Sequence, residues 1–219
     1  MSYKKIIFVT TVFFTSFVFS NERKFSYTYE TGILPVGARE LEIWNTYRSG
    51  KEEYFRRLNQ RFEFEVGVAT NVMTAFYLNV EHKSFLEKEW KAIDSNKNKL
   101  SSLLKSEHSV SISNEWKFKF SDPVADPIGF GLYCEGTLGL DELELEGKLL
   151  FDKQIGNTLF AFSIVGENEW EAEVNKNEVE MESELKSEID FGISHSFNNS
   201  FSAGIEMRNA NVSKDGEVE

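Results

Sequence analysis

Charged side chains occupy every second position in several segments of this sequence. Glu63 and Glu65 follow Arg61 at this spacing, and the pattern recurs further along the chain. Successive side chains of a β-strand point to opposite faces, so these groups would line one face of a sheet. The candidate residues that line this predicted polar lumen are Arg61, Glu63, Glu65, Glu115, Lys117, Lys119, Glu135, Glu144, Glu146 and Lys148.

This predicted lining is rich in carboxylates, with bases among them. Groups of carboxylates raise the local concentration of cations, so the pattern predicts a passage or pocket that favours small polar or cationic solutes. The alternative is an internal network of salt bridges that fills the barrel and makes it rigid. Both interpretations place the charges inside the fold.

Nucleophilic catalysis needs a nucleophile within hydrogen-bond reach of a base. His82 and His108 flank a polar stretch, and His195 lies at a turn, so none of the three sits beside a serine on the polar face. A surface dyad of His82 with Ser84, or of His108 with a neighbouring serine, is the remaining catalytic possibility. The sequence predicts no catalytic residue and therefore no enzyme.

Metal binding has two weak candidates. His82 and His108 would approach each other across one hairpin, with Glu81 and Glu107 adjacent to them, which suggests a loose site for a divalent ion. The evenly spaced carboxylates of residues 142–146 would form a solvated wall more readily than a site, because the i, i+2 step in a strand is about 6.8 Å. No metal and no cofactor is predicted.

Strands must hold all these side chains, because the polar positions alternate with apolar ones. Phe62, Phe64 and Val66 interleave with the charged residues of their segment. Charged residues on one face of a strand that alternate with large apolar residues on the other face are typical of a transmembrane β-barrel. The predicted strands are 39–48, 54–67, 72–83, 107–120, 128–139, 142–152, 157–170, 177–195 and 200–209.

Three finer assignments follow from the alternation. In strand seven both faces are apolar, and the face with Phe160, Phe162 and Ile164 is assigned to lipid. Cys134 shares the apolar parity and is predicted to be a small hydrophobic residue on the lipid face. An aromatic girdle close to the tight turns is predicted from Phe64, Phe118, Phe120, Phe151, Phe160, Phe191 and Phe201.

The predicted connections are unequal in length. Four of them, each joining an even strand to the next odd one, are short and rich in Gly, Asn, Asp and Pro. Residues 84–106 are read as a long polar loop on the other side. Outer-membrane barrels have short periplasmic turns and long extracellular loops, so the chain is expected to begin in the periplasm.

The two ends extend this interpretation. Residues 1–20, with two lysines before an apolar run, read as a cleaved signal peptide. Residues 21–38 would be a periplasmic lead-in, 39–209 the barrel strands, and 210–219 the start of an extracellular loop. Because single-chain bacterial barrels have an even number of strands, nine predict a truncated barrel of about twelve, left as an open curved sheet.

The charge of the chain excludes one class of partner. The formal net charge is −12, and the two lysines of the predicted signal peptide contribute to it, so the mature chain is more acidic still. A phosphate backbone attracts basic proteins, which makes a nucleic acid an improbable partner.

Several blocks of the sequence resemble a family of uncharacterised bacterial outer-membrane proteins. The resemblance rests on Tyr-Thr-Tyr-Glu-Thr-Gly-Ile-Leu-Pro-Val-Gly at 27–37, on the acidic, tryptophan-containing stretch 40–44, and on Arg-Ser-Gly-Lys at 48–51. Residues 126–133, 167–171 and 200–209 resemble later blocks of the same family. More distantly, the chain is similar to barrels associated with phenol degradation or copper resistance. The resemblance implies a longer barrel and no established catalytic or ligand residue.

The sequence therefore predicts an all-β, antiparallel, up-and-down transmembrane β-barrel in the bacterial outer membrane. The expected partners are outer-membrane lipids and the barrel-assembly machinery. The expected function is a narrow passage for small polar or cationic solutes, or a structural role. The alternatives are a lipid-active outer-membrane enzyme and a soluble periplasmic β-sandwich that binds a ligand.

Overall fold

The fold is one strongly curled, open antiparallel sheet of nine full strands. The computed structural model describes residues 23–50, 54–94, 97–175, 178–198, 201–214 and 217–218. The predicted signal peptide, residues 1–20, lies outside the described residues. None of the described residues forms a helix that could span a membrane.

Each strand pairs with its neighbours in the chain, so the sheet order is the chain order. The strands are β1 (Arg39–Ser49), β2 (Phe55–Ala69), β3 (Val72–Asp94), β4 (Lys97–Ser121), β5 (Gly129–Leu138), β6 (Glu142–Ile155), β7 (Thr158–Asn175), β8 (Glu178–Asn198), β9 (Phe201–Lys214) and the two-residue β10 (Glu217–Val218). Among the described residues, β1 and β10 each have one neighbouring strand, which leaves the sheet open.

The two faces of the sheet have opposite character. Alternation puts Glu63 and Tyr77 on the concave face, where each is less than 5% exposed, and puts Phe76 and Leu78 on the convex face, where each is more than 40% exposed. The predicted polarity of the strands is therefore observed, with the charged groups inside the curl. In β7, Leu159, Ala161 and Val165 are buried and Ile164 is exposed, so the predicted inner and outer faces of this strand are observed. Cys134 is exposed, as predicted.

Aromatic rings form a ladder on the convex face near one end of the strands. Phe120, Phe130, Phe151 and Phe162 lie side by side on successive strands, with ring centroids 5.4, 5.2 and 6.1 Å apart. Two of these four were predicted for the girdle and two were not, because Phe130 and Phe162 only become neighbours through the strand register. The turns beside the ladder are short, and Gly156, at φ 58°, starts the β6–β7 turn.

The predicted long loop at 84–106 is wrong. β3 continues to Asp94 and β4 starts at Lys97, so this stretch is the far part of one long hairpin. Its sequence lacks alternation because apolar residues fall on both parities, as in Phe85-Leu86 and Leu103-Leu104. The Lys105–Glu87 ion pair connects its two strands. The ends of the sheet therefore differ in how far the hairpins extend, and the inequality in loop length is not observed.

β9 is also longer than predicted. It runs to Lys214, so residues 210–214 belong to a strand and not to the predicted extracellular loop. The extra residues, from Ala210 onwards, are polar or small and carry no alternating signal. They continue the register with β8 as far as Glu184.

Residues 23–37, predicted only as a lead-in, lie across the concave face. We call them the inner segment. It leaves the sheet where Gly37 donates a backbone hydrogen bond to Gly67 on β2 (2.8 Å). A methyl group on Gly67 would lie 2.1 Å from the carbonyl oxygen of Pro35, so only glycine allows the inner segment to approach β2 this closely.

Replacing Gly67 with alanine should lower the free energy of unfolding by about 1–3 kcal/mol, because the methyl group forces backbone apart in a packed site. Urea unfolding of the refolded protein measures this change. The matched control is Gly166→Ala on β7, where an added Cβ has nothing within 4 Å. Equal stability of the two variants would show that the inner segment does not pack here.

The β4–β5 turn depends on Asp122. Its carboxylate accepts hydrogen bonds from the Lys119 ammonium (2.6 Å) and from the backbone N–H groups of Ala125 (3.0 Å) and Val124 (2.8 Å). These bonds, the one from Lys119 foremost, lower the pKa of Asp122 to about 2. A lowered pKa means that the stabilisation is complete above the unfolded-state pKa of about 3.9 and is lost as the pH falls towards 2.

Asp122→Ala should therefore reduce the free energy of unfolding at pH 7 by about 0.5–1 kcal/mol, a small effect because the carboxylate is solvent-exposed. The difference from the natural protein should shrink between pH 4 and pH 2 in urea titrations. Asp122→Asn keeps an acceptor for the backbone groups and should cost less. A difference that does not change with pH would contradict this account.

Candidate functional site on the concave face

Nine of the ten predicted lining residues lie together on the concave face of β2–β6. The register places them in rows across the sheet. In one row Glu115 lies opposite Glu135, which lies opposite Glu146, and in the next Lys117 and Lys148 flank Tyr133. Lys119 is the exception, because a register shift follows it and its ammonium contacts Asp122 at the turn.

Tyrosines and cations satisfy the buried carboxylates of these rows. The Tyr77 hydroxyl donates to Glu115, and the Tyr133 hydroxyl donates to Glu135. The Lys148 ammonium lies 2.9 Å from a Glu146 oxygen. A buried charge is tolerated only when it is paired or hydrogen-bonded, so the rows form a connected network. This arrangement fits both predicted interpretations, the internal salt-bridge network and the lining of a passage.

The inner segment adds a ring to the centre of this network. Tyr29 lies between two cations, with the Lys148 ammonium 3.6 Å and the Arg23 guanidinium carbon 4.3 Å from its ring centroid. Its ring also meets Tyr133 edge-on, with centroids 4.9 Å apart. Cation–π contacts are strongest when desolvated, so Tyr29 holds both bases in the interior.

Two carboxylates of the sheet hold the backbone of the inner segment. Asp152 on β6 accepts hydrogen bonds from the backbone N–H of Thr31 (2.8 Å) and from its hydroxyl (2.8 Å). Glu206 on β9 accepts the backbone N–H groups of three successive residues, 26–28, at 2.8–2.9 Å. Hydrogen bonds to an ionised acceptor are the stronger kind, so the segment is fixed at both sides of the curl.

An apolar niche of the interior receives an aromatic side chain of the inner segment. Phe25 packs with Leu159 and Ala161 of β7 in the hydrophobic cluster of the interior. Gly192 on β8 makes room for it, since a Cβ there would lie 2.6 Å from the ring. Leu159, Ala161 and Gly192 were visible in the sequence, but nothing there indicated that they would accommodate Phe25.

A polar cleft of about 440 Å³ remains beside the inner segment, towards the end of the sheet where the long hairpin extends. Its bases come from the inner segment, β1, β2 and β6, whereas most of its acids come from β5 and β6. Neutral polar groups of β3 and β4 lie between the two. The charged lining residues are Arg23, Arg48, Arg61, Lys148, Glu81, Glu135, Glu142, Glu144 and Glu146.

Three carboxylates lie unusually close together at the acidic side of the cleft. Oxygens of Glu144, Glu167 and Glu169 are all within 4.8 Å of one another, and each residue is half-buried. Like charges at this distance repel, and the Lys186 ammonium, 2.6 Å from a Glu167 oxygen, offsets part of this repulsion. The sequence predicted Glu144, but Glu167 and Glu169 joined it only through the β6–β7 register.

The possible catalytic dyads are not formed. His82 and His108 contact each other, and Ser84 contacts Ser106 across the same hairpin. His195 accepts or donates a hydrogen bond with Thr158 at the opposite end of the sheet. Glu81 and Glu107 are engaged with bases and do not join the two histidines.

Removing the Asp152 carboxylate should destabilise the protein by about 2–4 kcal/mol, because it leaves a buried N–H and a buried hydroxyl of Thr31 without a partner. Asp152→Ala, Thr31→Val and the double variant form a cycle in which a coupling of about 1–2 kcal/mol is expected from urea unfolding. The control is Asp141→Ala in the exposed β5–β6 turn, which should change stability by less than about 0.5 kcal/mol. Additive effects of the first two changes would contradict a direct contact.

Comparisons with known proteins identify a family and no function. No protein of curated function and no solved structure matches the chain. A family model described as a family of unknown function, DUF6662, matches residues 17–217, which include the inner segment and all nine full strands. The chain with this curled sheet and its filled polar interior belongs to that family of unknown function.

Proposed function

We propose that this protein is an outer-membrane β-barrel protein whose interior admits small polar solutes and favours cations. The observation that carries the proposal is the inverted polarity of the sheet. Its buried concave face carries the charges, and its exposed convex face carries the large apolar side chains. A water-soluble protein of the same size would place these two sets the other way round.

The convex face has the composition of a surface that contacts lipid. Its exposed apolar residues occur on all of the nine full strands, and a contiguous patch of this extent is rare on a soluble monomer. The Phe120–Phe162 ladder provides an aromatic band at one end of it, as transmembrane barrels have at each interface. The exposed apolar residues of β1–β9 that form this face include Leu41, Ile43, Phe62, Phe64, Phe76, Leu78, Val110, Ile112, Leu132, Leu143, Leu145, Ile164, Ile189, Phe191, Ile205 and Met207.

Insertion into lipid requires that the backbone groups at the edges of the sheet are hydrogen-bonded. Unpaired backbone N–H and C=O groups are not tolerated in the hydrocarbon region, because no water is present to satisfy them. The proposal therefore requires the free edges of β1 and β9 to be paired in the membrane.

The interior supports a narrow passage beside the inner segment. The inner segment is held on β6 and β9 and occupies part of the curl, and the cleft is the space that it leaves. Glu142 and Glu144 line that space without a salt bridge among those described, whereas Lys148 pairs with Glu146. Carboxylates without a paired base attract mobile cations, which gives the passage its expected selectivity.

Ion conductance of the protein refolded into a planar bilayer tests the proposal. We expect discrete steps with a preference for cations, and Glu144→Gln should reduce the cation-to-anion permeability ratio about twofold to fivefold, since one charge at about 4 Å is worth about 1 kcal/mol in water. Asp126→Asn, in the exposed β4–β5 turn far from the cleft, is the matched control and should leave the ratio unchanged.

Two outcomes would overturn the proposal in different ways. One outcome is a barrel that inserts into the membrane and changes its electrophoretic mobility on heating, but does not conduct ions. This outcome contradicts the passage but is consistent with the membrane location. A chain that stays in the aqueous fraction without detergent contradicts the membrane location itself.

A further inference from the structure

The base of the long β3–β4 hairpin carries a pair of histidines in direct contact. His82 on β3 and His108 on β4 are register partners. Their Nδ1 atoms are 3.1 Å apart, and their ring centroids are 4.4 Å apart at an interplanar angle of 41°. Neither residue has a role in the proposed passage, because both share the parity of the convex face with Val80 and Val110.

The separation of the two nitrogens matches a shared metal ion. Two imidazole nitrogens bound at about 2.0–2.1 Å to one ion are about 3.4 Å apart at a tetrahedral angle and about 2.9 Å apart at a right angle. The observed 3.1 Å lies between these values. We propose that His82 and His108 bind one divalent transition-metal ion, of the Cu²⁺ or Zn²⁺ class that imidazole favours, through their Nδ1 atoms.

The surroundings leave space for the other ligands of the ion. His108 is exposed and His82 is half-buried. β5 pairs with β4 only from Ile112 onwards, so no strand covers the outer side of His108. Solvent molecules can therefore complete the coordination.

The neighbouring carboxylates do not belong to this site. Glu81 contacts the Arg57 guanidinium (2.8 Å) and Asn59 (2.6 Å), and Glu107 contacts Lys83 (3.0 Å). Each of these glutamates adjoins a histidine in the chain, so it projects from the opposite face of the hairpin. The site thus has two protein ligands, which favours an ion that exchanges over one that is permanently held.

The position of the pair gives the ion a structural consequence. β2 accompanies β3 only as far as the Phe55↔Phe85 pair, and beyond it β3 and β4 pair only with each other among the described residues. An ion bound at the base of this free part would cross-link the two strands where they leave the sheet.

Metal titration of the full chain, prepared without a histidine tag and stripped with chelator, tests the proposal. With CuCl₂ we expect one ion per chain and an electron paramagnetic resonance spectrum with hyperfine structure from two nitrogens. His82→Ala and His108→Gln should each remove the two-nitrogen signature and weaken binding at least about 10- to 100-fold, the loss that even an outer-shell partner causes.

The matched control is His195→Ala, because His195 lies at the other end of the sheet and its ring contacts Thr158. It should bind Cu²⁺ like the natural protein. Circular dichroism confirms that each variant is folded before it is compared. Unchanged two-nitrogen binding in the His82→Ala, His108→Gln double variant would overturn the proposal, and so would a natural protein that takes up no Cu²⁺ or Zn²⁺, since the pair would then share only a proton.

Discussion

Burial of charge on the concave face is the constraint on which the rest of the structure depends. Glu115 is 2% exposed and Glu135 is 8% exposed, and a carboxylate that loses its water must find a donor or a base. The sheet supplies tyrosine hydroxyls from neighbouring strands and bases from the same rows. The curl of the sheet brings these rows close enough to form one network.

The inner segment is the second consequence of that constraint. The carboxylates of Asp152 and Glu206 accept hydrogen bonds from the backbone N–H groups of Thr31 and residues 26–28. Tyr29 covers two bases at once, and Phe25 fills the one apolar niche described in the interior. The inner segment thus stabilises the fold and also reduces the open space on the concave face to a cleft. The same contacts therefore determine the stability of the protein and the width of any passage for solutes.

The convex face and the far part of the long hairpin differ in how apolar residues are distributed along their strands. On β1–β9 the apolar convex residues alternate with polar ones because the two faces meet different environments. On the far part of the hairpin the apolar residues do not keep to one parity, and the Lys105–Glu87 ion pair connects the two strands. The histidine pair lies at the base of this far part, one convex-face position beyond the Val80–Val110 pair.

The sequence by itself determined the strands that alternate, the face on which each charged residue lies and the all-β class of the fold, because a period of two is a local property of the chain. It did not reveal the extension of β3 and β4, since the apolar residues there fall on both parities and leave no period to detect. Only the tertiary structure decided that residues 23–37 cross the interior, that Asp152 and Glu206 hold them, and that Glu167 and Glu169 join Glu144. These contacts link residues distant in the chain, and their geometry depends on the register and curl of the whole sheet, which no local pattern encodes.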